Sequence, residues 1–136
     1  MTGTRTLTLT RHLPFPQERV WRALSTGALM SEWLMPNDFE AVEGHRFHFR
    51  APPQPQWDGV IEAEVLAVEP PHRLAFTWVS GDVVTEVQFT LEPMAGGTRL
   101  TMAQSGFRPD QPQNYGGARH GWGMFLDRLT EQLKEA

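Results

Sequence analysis

The chain has 136 residues, a formal net charge of −4 and no cysteine, which excludes disulfide frameworks, thiolate metal sites and cysteine nucleophiles. Apolar residues make up 40% of the sequence and charged residues 21%, so the composition predicts one folded domain over 1–136 rather than a disordered chain. The acidic balance argues against nucleic acid as a partner, because phosphate binding needs a basic surface. No apolar run is long enough to span a membrane and the N-terminus lacks the apolar segment of a signal peptide, so we expect a cytoplasmic protein.

The first third of the chain predicts one strand and two short helices. Apolar and polar residues alternate over 4–13, which indicates a half-buried strand. Pro16 suits the first turn of a helix that ends at Gly27. A second short helix is predicted over 28–34, since Pro36 disfavours a helical conformation in the residue before it.

The middle of the chain predicts strands joined by tight turns. The candidate strands are 39–42, 45–50, 57–68, 74–78, 83–92 and 99–105. Tight turns join antiparallel neighbours. The absence of strand–helix–strand alternation in this stretch excludes a doubly wound parallel sheet.

A long amphipathic helix is predicted at the C-terminal end, over 114–134. Its apolar residues follow at spacings of three and four: Ala118, Trp122, Phe125, Leu126, Leu129 and Leu133. A curved antiparallel sheet of about six to seven strands must cover its apolar face. This helix is the long amphipathic element available to do so, so the fold class is α+β.

Several segments resemble a known family. FPQERVWRALSTGALMSEWL is similar to the opening helices of the START-like, birch-allergen-like superfamily. EGHRFHFRA, WDGVIEAEVLAVEPPHRLAFTW, GGTRLTMAQSGF and HGWGMFLDRLTEQL resemble bacterial relatives of the C-terminal domain of the heat-shock-protein-90 ATPase activator. The resemblance covers 7–133 and implies the helix-grip fold, in which a curved sheet wraps around a long C-terminal helix and encloses a cavity. The superfamily includes lipid and hormone carriers, polyketide cyclases and chaperone activators, so the fold alone does not choose a function.

The candidate site residues lie mostly on the inward phase of the strands or the apolar face of the last helix. The predicted cavity wall is Trp33, Phe47, Phe49, Trp78, Met102, Trp122 and Phe125, and the predicted polar anchors are His45, Gln104 and Tyr115. We expect this set to bind a small hydrophobic or aromatic molecule between the sheet and the C-terminal helix. The alternative for each aromatic residue is that it only fills the core.

The titratable residues do not form a pattern typical of catalysis or metal binding. His45 and His48 lie three apart on a strand and therefore on opposite faces. Glu62 and Glu64 share an outward phase, so we predict no catalytic residue, no metal and no cofactor. Two alternatives stay open: a chaperone-binding module that uses the outer surface, and a cyclase-like enzyme that uses the same cavity.

The start of the predicted helix is rich in glycine, at Gly116, Gly117, Gly121 and Gly123. Glycine inside a helix costs about 0.5–1 kcal/mol relative to alanine. We therefore expect this half of the helix to open more easily and to border the cavity entrance. The alternative is that one glycine allows the helix to approach a strand closely.

Overall fold

The computed structural model describes residues 4–55 and 57–135. The elements in chain order are β1 (Arg5–Leu13), α1 (Gln17–Ser25), α2 (Gly27–Trp33), β2 (Arg46–Arg50), β3 (Val60–Glu69), β4 (Arg73–Ser80), β5 (Val83–Met94), β6 (Gly97–Phe107) and α3 (Pro112–Glu135). The predicted α+β class and helix-grip order are confirmed. Within the described residues, no helix combines the length and the apolar character needed to cross a membrane.

The six strands form one antiparallel sheet in the order β1-β6-β5-β4-β3-β2. From β2 to β6, each strand pairs with the next one in the chain, as expected for strands joined by short turns. β1 pairs with β6, so α1 and α2 carry the chain from one edge of the sheet to the other. The two short helices therefore lie between the two edge strands in the chain order.

Alternation along the strands determines which side chains enter the core. On β3, Ile61 and Ala63 are buried, whereas the neighbouring Glu62 is exposed. The same alternation buries Leu74, Phe76 and Trp78 on β4 and Val87, Phe89 and Leu91 on β5. The sheet therefore has one apolar face, and its predicted outward carboxylates lie on the other face.

α3 covers the apolar face through its predicted stripe. Leu126, Leu129 and Leu133 are fully buried, and each contributes about 1.5–3 kcal/mol of hydrophobic stabilisation. The amide of Gln132 donates to the Leu29 carbonyl of α2 at 2.9 Å, and Arg19 of α1 donates to the Leu133 carbonyl. The C-terminal half of α3 is therefore fixed by both apolar packing and hydrogen bonds.

One predicted strand does not form, and another begins later than predicted, for local reasons. No strand forms over 39–42, because the side-chain oxygen of Asn37 accepts from the Phe39 N–H at 2.9 Å. Such side-chain bonds compete with pairing between strands. The strand predicted from residue 57 begins at Val60, because Gly59 has a φ of 81° and its backbone leaves the extended conformation.

Candidate ligand-binding cleft

A cleft of about 650 Å³ lies between the N-terminal half of α3 and the end of the sheet where β4 turns into β5. Its aromatic lining is Trp57, Trp78, Phe107, Trp122 and Phe125, and its aliphatic lining includes Met35, Ile61 and Val83. Ser80, Asp82, Gln104, Gln113 and Asn114 supply its polar atoms. This size falls in the range that accommodates small organic ligands.

The cleft exists because α3 presents small residues to the sheet here. Gly117, Ala118 and Gly121 line it. A Cβ atom added to Gly117 would meet no heavy atom within 4 Å, and one added to Gly121 would meet only the Phe125 ring, at 3.8 Å. Bare helix backbone therefore forms part of the wall, and no neighbouring strand fills the space beside it.

Aromatic rings in contact with one another form the inner wall. The ring centroids of Trp78 and Trp122 are 5.3 Å apart, and those of Trp122 and Phe125 are 5.6 Å apart, edge to face. Phe49 packs behind Trp78 at 5.1 Å. These spacings are those of favourable aromatic pairs, so the wall is held in place by its own packing.

A chain of three hydrogen bonds fixes the Trp122 indole and ties it to the backbone of β4. Nε1 of Trp122 donates to Oε1 of Gln104 at 2.8 Å, and Nε2 of Gln104 donates to Oγ1 of Thr85 at 2.9 Å. The Thr85 hydroxyl donates to the Trp78 carbonyl at 2.8 Å. Gln104 and Thr85 are both 2% exposed, so in this low-dielectric environment the chain joins α3 to three strands and restrains the cleft wall.

Charge is found only at the mouth of the cleft. Asp82 is the one ionisable residue among the described lining residues, and its carboxylate is 3.6 Å from the Arg108 guanidinium. Arg108 also pairs with Asp110 at 3.2 Å. Within 4–55 and 57–135, no group of three histidine or acidic side chains is arranged to hold a metal ion.

Four of the ten predicted site residues line this cleft: Trp78, Gln104, Trp122 and Phe125. Gln104 lies there with its carbonyl oxygen already bonded to Trp122. Phe125 was expected to be buried against the sheet but is only half-buried, because its ring borders the cleft.

Four others lie in the packed core, outside the cleft lining. Trp33 is fully buried and donates to the Ala23 carbonyl at 3.0 Å. Phe47 and Phe49 are in edge-to-face contact at 5.1 Å, and Met102 is 0% exposed. These four side chains are therefore packed in the hydrophobic core and do not border the cleft.

The remaining two predicted anchors lie at the periphery. His45 is half-buried, with Nε2 2.9 Å from the Asp38 carbonyl and its ring stacked against Phe47. Tyr115 packs edge-on against Phe107 at 5.4 Å, and the Arg5 guanidinium lies 3.9 Å from the centre of its ring. Neither belongs to the lining of the cleft.

Two aromatic lining residues, Trp57 and Phe107, were absent from the predicted set. Gly106, at a φ of 106°, shifts the alternation so that Phe107 is buried although its residue number is out of phase with Met102 and Gln104. Gly59 similarly separates Trp57 from the regular part of β3. The available signal was a glycine next to Phe107 and a glycine two residues after Trp57.

The curved antiparallel sheet, the long C-terminal helix against its apolar face and the cleft between them define a helix-grip fold. The sequence matches the family model described as Activator of Hsp90 ATPase homolog 1-like protein over residues 14–134, and the chain belongs to this family. The resemblance inferred from the sequence motifs is thereby confirmed.

Solved structures are similar over nearly the whole of this chain. Protein MLL2253 from Mesorhizobium loti is 45% identical, with a TM-score of 0.92 over 97% of this chain and 98% of that one. Protein BH1534 from Bacillus halodurans is 28% identical, with a TM-score of 0.83 over 98% and 99%. DynU16, a protein of the dynemicin biosynthetic locus, is 26% identical, with a TM-score of 0.80 over 95% of this chain and 47% of that one. A search of curated proteins gives no match.

Proposed function

We propose that the protein binds a small hydrophobic or aromatic molecule in the cleft between α3 and the sheet. The observation that carries this proposal is a cleft of about 650 Å³ with an aromatic wall. A cleft of this size with a mainly apolar wall favours an apolar occupant, because burial removes the apolar surface of that molecule from water.

The glycines of α3 support the same conclusion. Alanine would fit at Gly117 and Gly121 without meeting backbone, and it would favour the helix by about 0.5–1 kcal/mol at each position. The chain instead has glycine at both positions that border the cleft. This choice keeps the cleft open at a cost to the stability of the helix.

Binding is favoured over catalysis by the chemistry of the wall. A cyclase-like reaction needs a general acid or base beside its substrate. Among the described lining residues, Asp82 at the mouth is the ionisable group, and its side chain is 81% exposed. The similarity to DynU16, from a biosynthetic locus, is in keeping with a small organic ligand.

The proposal is tested by filling the cleft from the helix side. Gly117 lines the cleft, and a Cβ added there meets no atom of another element within 4 Å, so Gly117→Leu places a side chain at the cleft wall. Gly116→Leu adds the same group to the preceding residue, which is outside the cleft lining. We expect Nile red, a neutral apolar dye, to bind the wild type and Gly116→Leu equally. Its affinity for Gly117→Leu should fall by about 10-fold or more. Equal binding by both variants, or no binding by the wild type, would contradict the proposal.

The family match supports a second candidate, binding to a chaperone. Such a module would use its outer surface and leave the cleft without a role. We expect this function to show itself as stimulation of a bacterial ninety-kilodalton chaperone ATPase that is unchanged by Gly117→Leu. Stimulation together with no Nile red binding would favour this candidate over a carrier.

A further inference from the structure

We propose, resting on the binding function above, that the ligand is an uncharged aromatic molecule with a hydrogen-bond acceptor, which the indole N–H of Trp57 engages when the cleft is filled.

Trp57 carries an unsatisfied donor. Its Nε1 is buried and has no hydrogen-bond partner among the described residues, although Trp57 itself lines the cleft. The two fully buried indoles do find acceptors: Trp33 bonds the Ala23 carbonyl at 3.0 Å and Trp122 bonds Gln104 at 2.8 Å. A buried N–H without an acceptor is energetically unfavourable, so a ligand that supplies an acceptor to Trp57 should bind more tightly than one that does not.

The backbone of Trp57 is fixed by hydrogen bonds, and its ring lies between two cavities. Its N–H and carbonyl both bond Gln54, each at 2.9 Å. The side chain lies between the cleft and a depression on the outer side that includes His48 and Glu62. Because Nε1 is buried, the proposed contact requires the indole to turn about its side-chain torsions while the backbone stays in place.

Gln104 adds a second donor. Its Oε1 accepts from Trp122, and its Nε2 donates one hydrogen to Thr85. An amide nitrogen carries two hydrogens, and the second has no acceptor among the residues that the structure describes. The unpaired N–H groups of Trp57 and Gln104 therefore both favour a ligand that supplies a hydrogen-bond acceptor.

The charges around the cleft disfavour an acidic ligand. The ionisable residue of the described lining is Asp82, and the nearby Arg108 is already shared between Asp82 and Asp110. A carboxylate that enters would leave water without gaining a cation in the wall, which is strongly unfavourable. Asp82 is too exposed, at 81%, to hold an organic cation firmly.

Three naphthalenes of nearly the same shape test the proposal. 2-Acetylnaphthalene is neutral and has an acceptor, 2-ethylnaphthalene lacks the acceptor, and 2-naphthoate is an anion. We expect the wild type to bind 2-acetylnaphthalene more tightly than 2-ethylnaphthalene by about 5- to 10-fold, and 2-naphthoate more weakly than both. Trp57→Phe keeps a ring but removes the N–H. It should abolish the preference for the ketone, whereas Trp21→Phe, outside the cleft lining, should preserve it.

The indole N–H signals in nitrogen-15 NMR spectra provide a readout on the wild type itself. The Trp57 signal is assigned by its loss in Trp57→Phe, and 2-acetylnaphthalene should move it downfield while 2-ethylnaphthalene does not. The proposal is overturned if 2-naphthoate or a naphthyl ammonium probe binds as tightly as 2-acetylnaphthalene. It is also overturned if Trp57→Phe lowers the affinity for 2-acetylnaphthalene and 2-ethylnaphthalene equally, or if the Trp57 indole signal does not move downfield. If any of these results is found while the wild type still binds Nile red, the proposed function stands and only this proposal fails. Failure of every probe to bind overturns both.

Discussion

The hydrogen bond between Trp122 and Gln104 offers the sharpest test of how the cleft wall is held together. Trp122→Phe leaves Oε1 of Gln104 without its donor, and Gln104→Leu leaves Nε1 of Trp122 without its acceptor. Both groups are 2% exposed. Each single change should therefore lower the free energy of unfolding by about 1–3 kcal/mol through the stranded polar atom, besides its effect on packing.

The double variant separates these two effects. With both partners apolar, neither polar atom is stranded, so the double variant should be more stable than the sum of the single changes predicts by about 1–2 kcal/mol. Urea unfolding followed by circular dichroism measures all four proteins. Trp33→Phe combined with Gln104→Leu is the matched control, because Trp33 bonds the Ala23 carbonyl instead. Coupling below about 0.5 kcal/mol for the first pair, or equal coupling in the control, would refute this account.

Two further predictions concern α3 and the β2 edge. Gly121→Ala should raise the free energy of unfolding by up to about 1 kcal/mol and slow amide exchange over 115–123, because the new methyl group meets only the Phe125 ring, at 3.8 Å. A loss of stability would contradict the interpretation that there is room for a methyl group beside Gly121. The His48 backbone N–H donates to Oδ1 of Asp38 at 2.7 Å, and chiefly this bond lowers the pKa of Asp38 below its ordinary value of 3.8. The wild type should therefore be more stable than Asp38→Asn at neutral pH, and the difference should vanish as the pH falls below 3.8 and through the folded-state pKa. A difference that persists in urea unfolding near pH 2 would exclude the charge as its cause.

The fold was accessible from the sequence because its signals are periodic. Alternation on β4 and β5 and the three–four spacing on α3 each report which side of an element is apolar. Packing α3 against the sheet buries all three faces in one core, so the local patterns agree with the global fold. The strand expected over 39–42 was wrong because one side chain, Asn37, redirects the backbone there, and periodicity does not report such a bond.

The site was accessible only in part, since periodicity reports a face and not the distance to the element opposite. Met102 and Gln104 share one face of β6, yet the first is packed in the core and the second borders the cleft. Their surroundings differ because different parts of α3 face them. The leucine-rich half fills its side of the sheet, whereas Gly117 and Gly121 leave space beside them.

The glycines of α3 link the stability of the helix to access to the cleft. The alternative that a glycine permits close contact with a strand is not supported, because a Cβ at Gly116, Gly117 or Gly123 meets nothing within 4 Å, and at Gly121 it meets only the Phe125 ring of the same helix, at 3.8 Å. Each glycine therefore weakens the helix without improving its packing. The leucines at 126, 129 and 133 fix the other half of α3. Because α3 is fixed at one end and weakened beside the cleft, we expect it to open locally there without unfolding of the core.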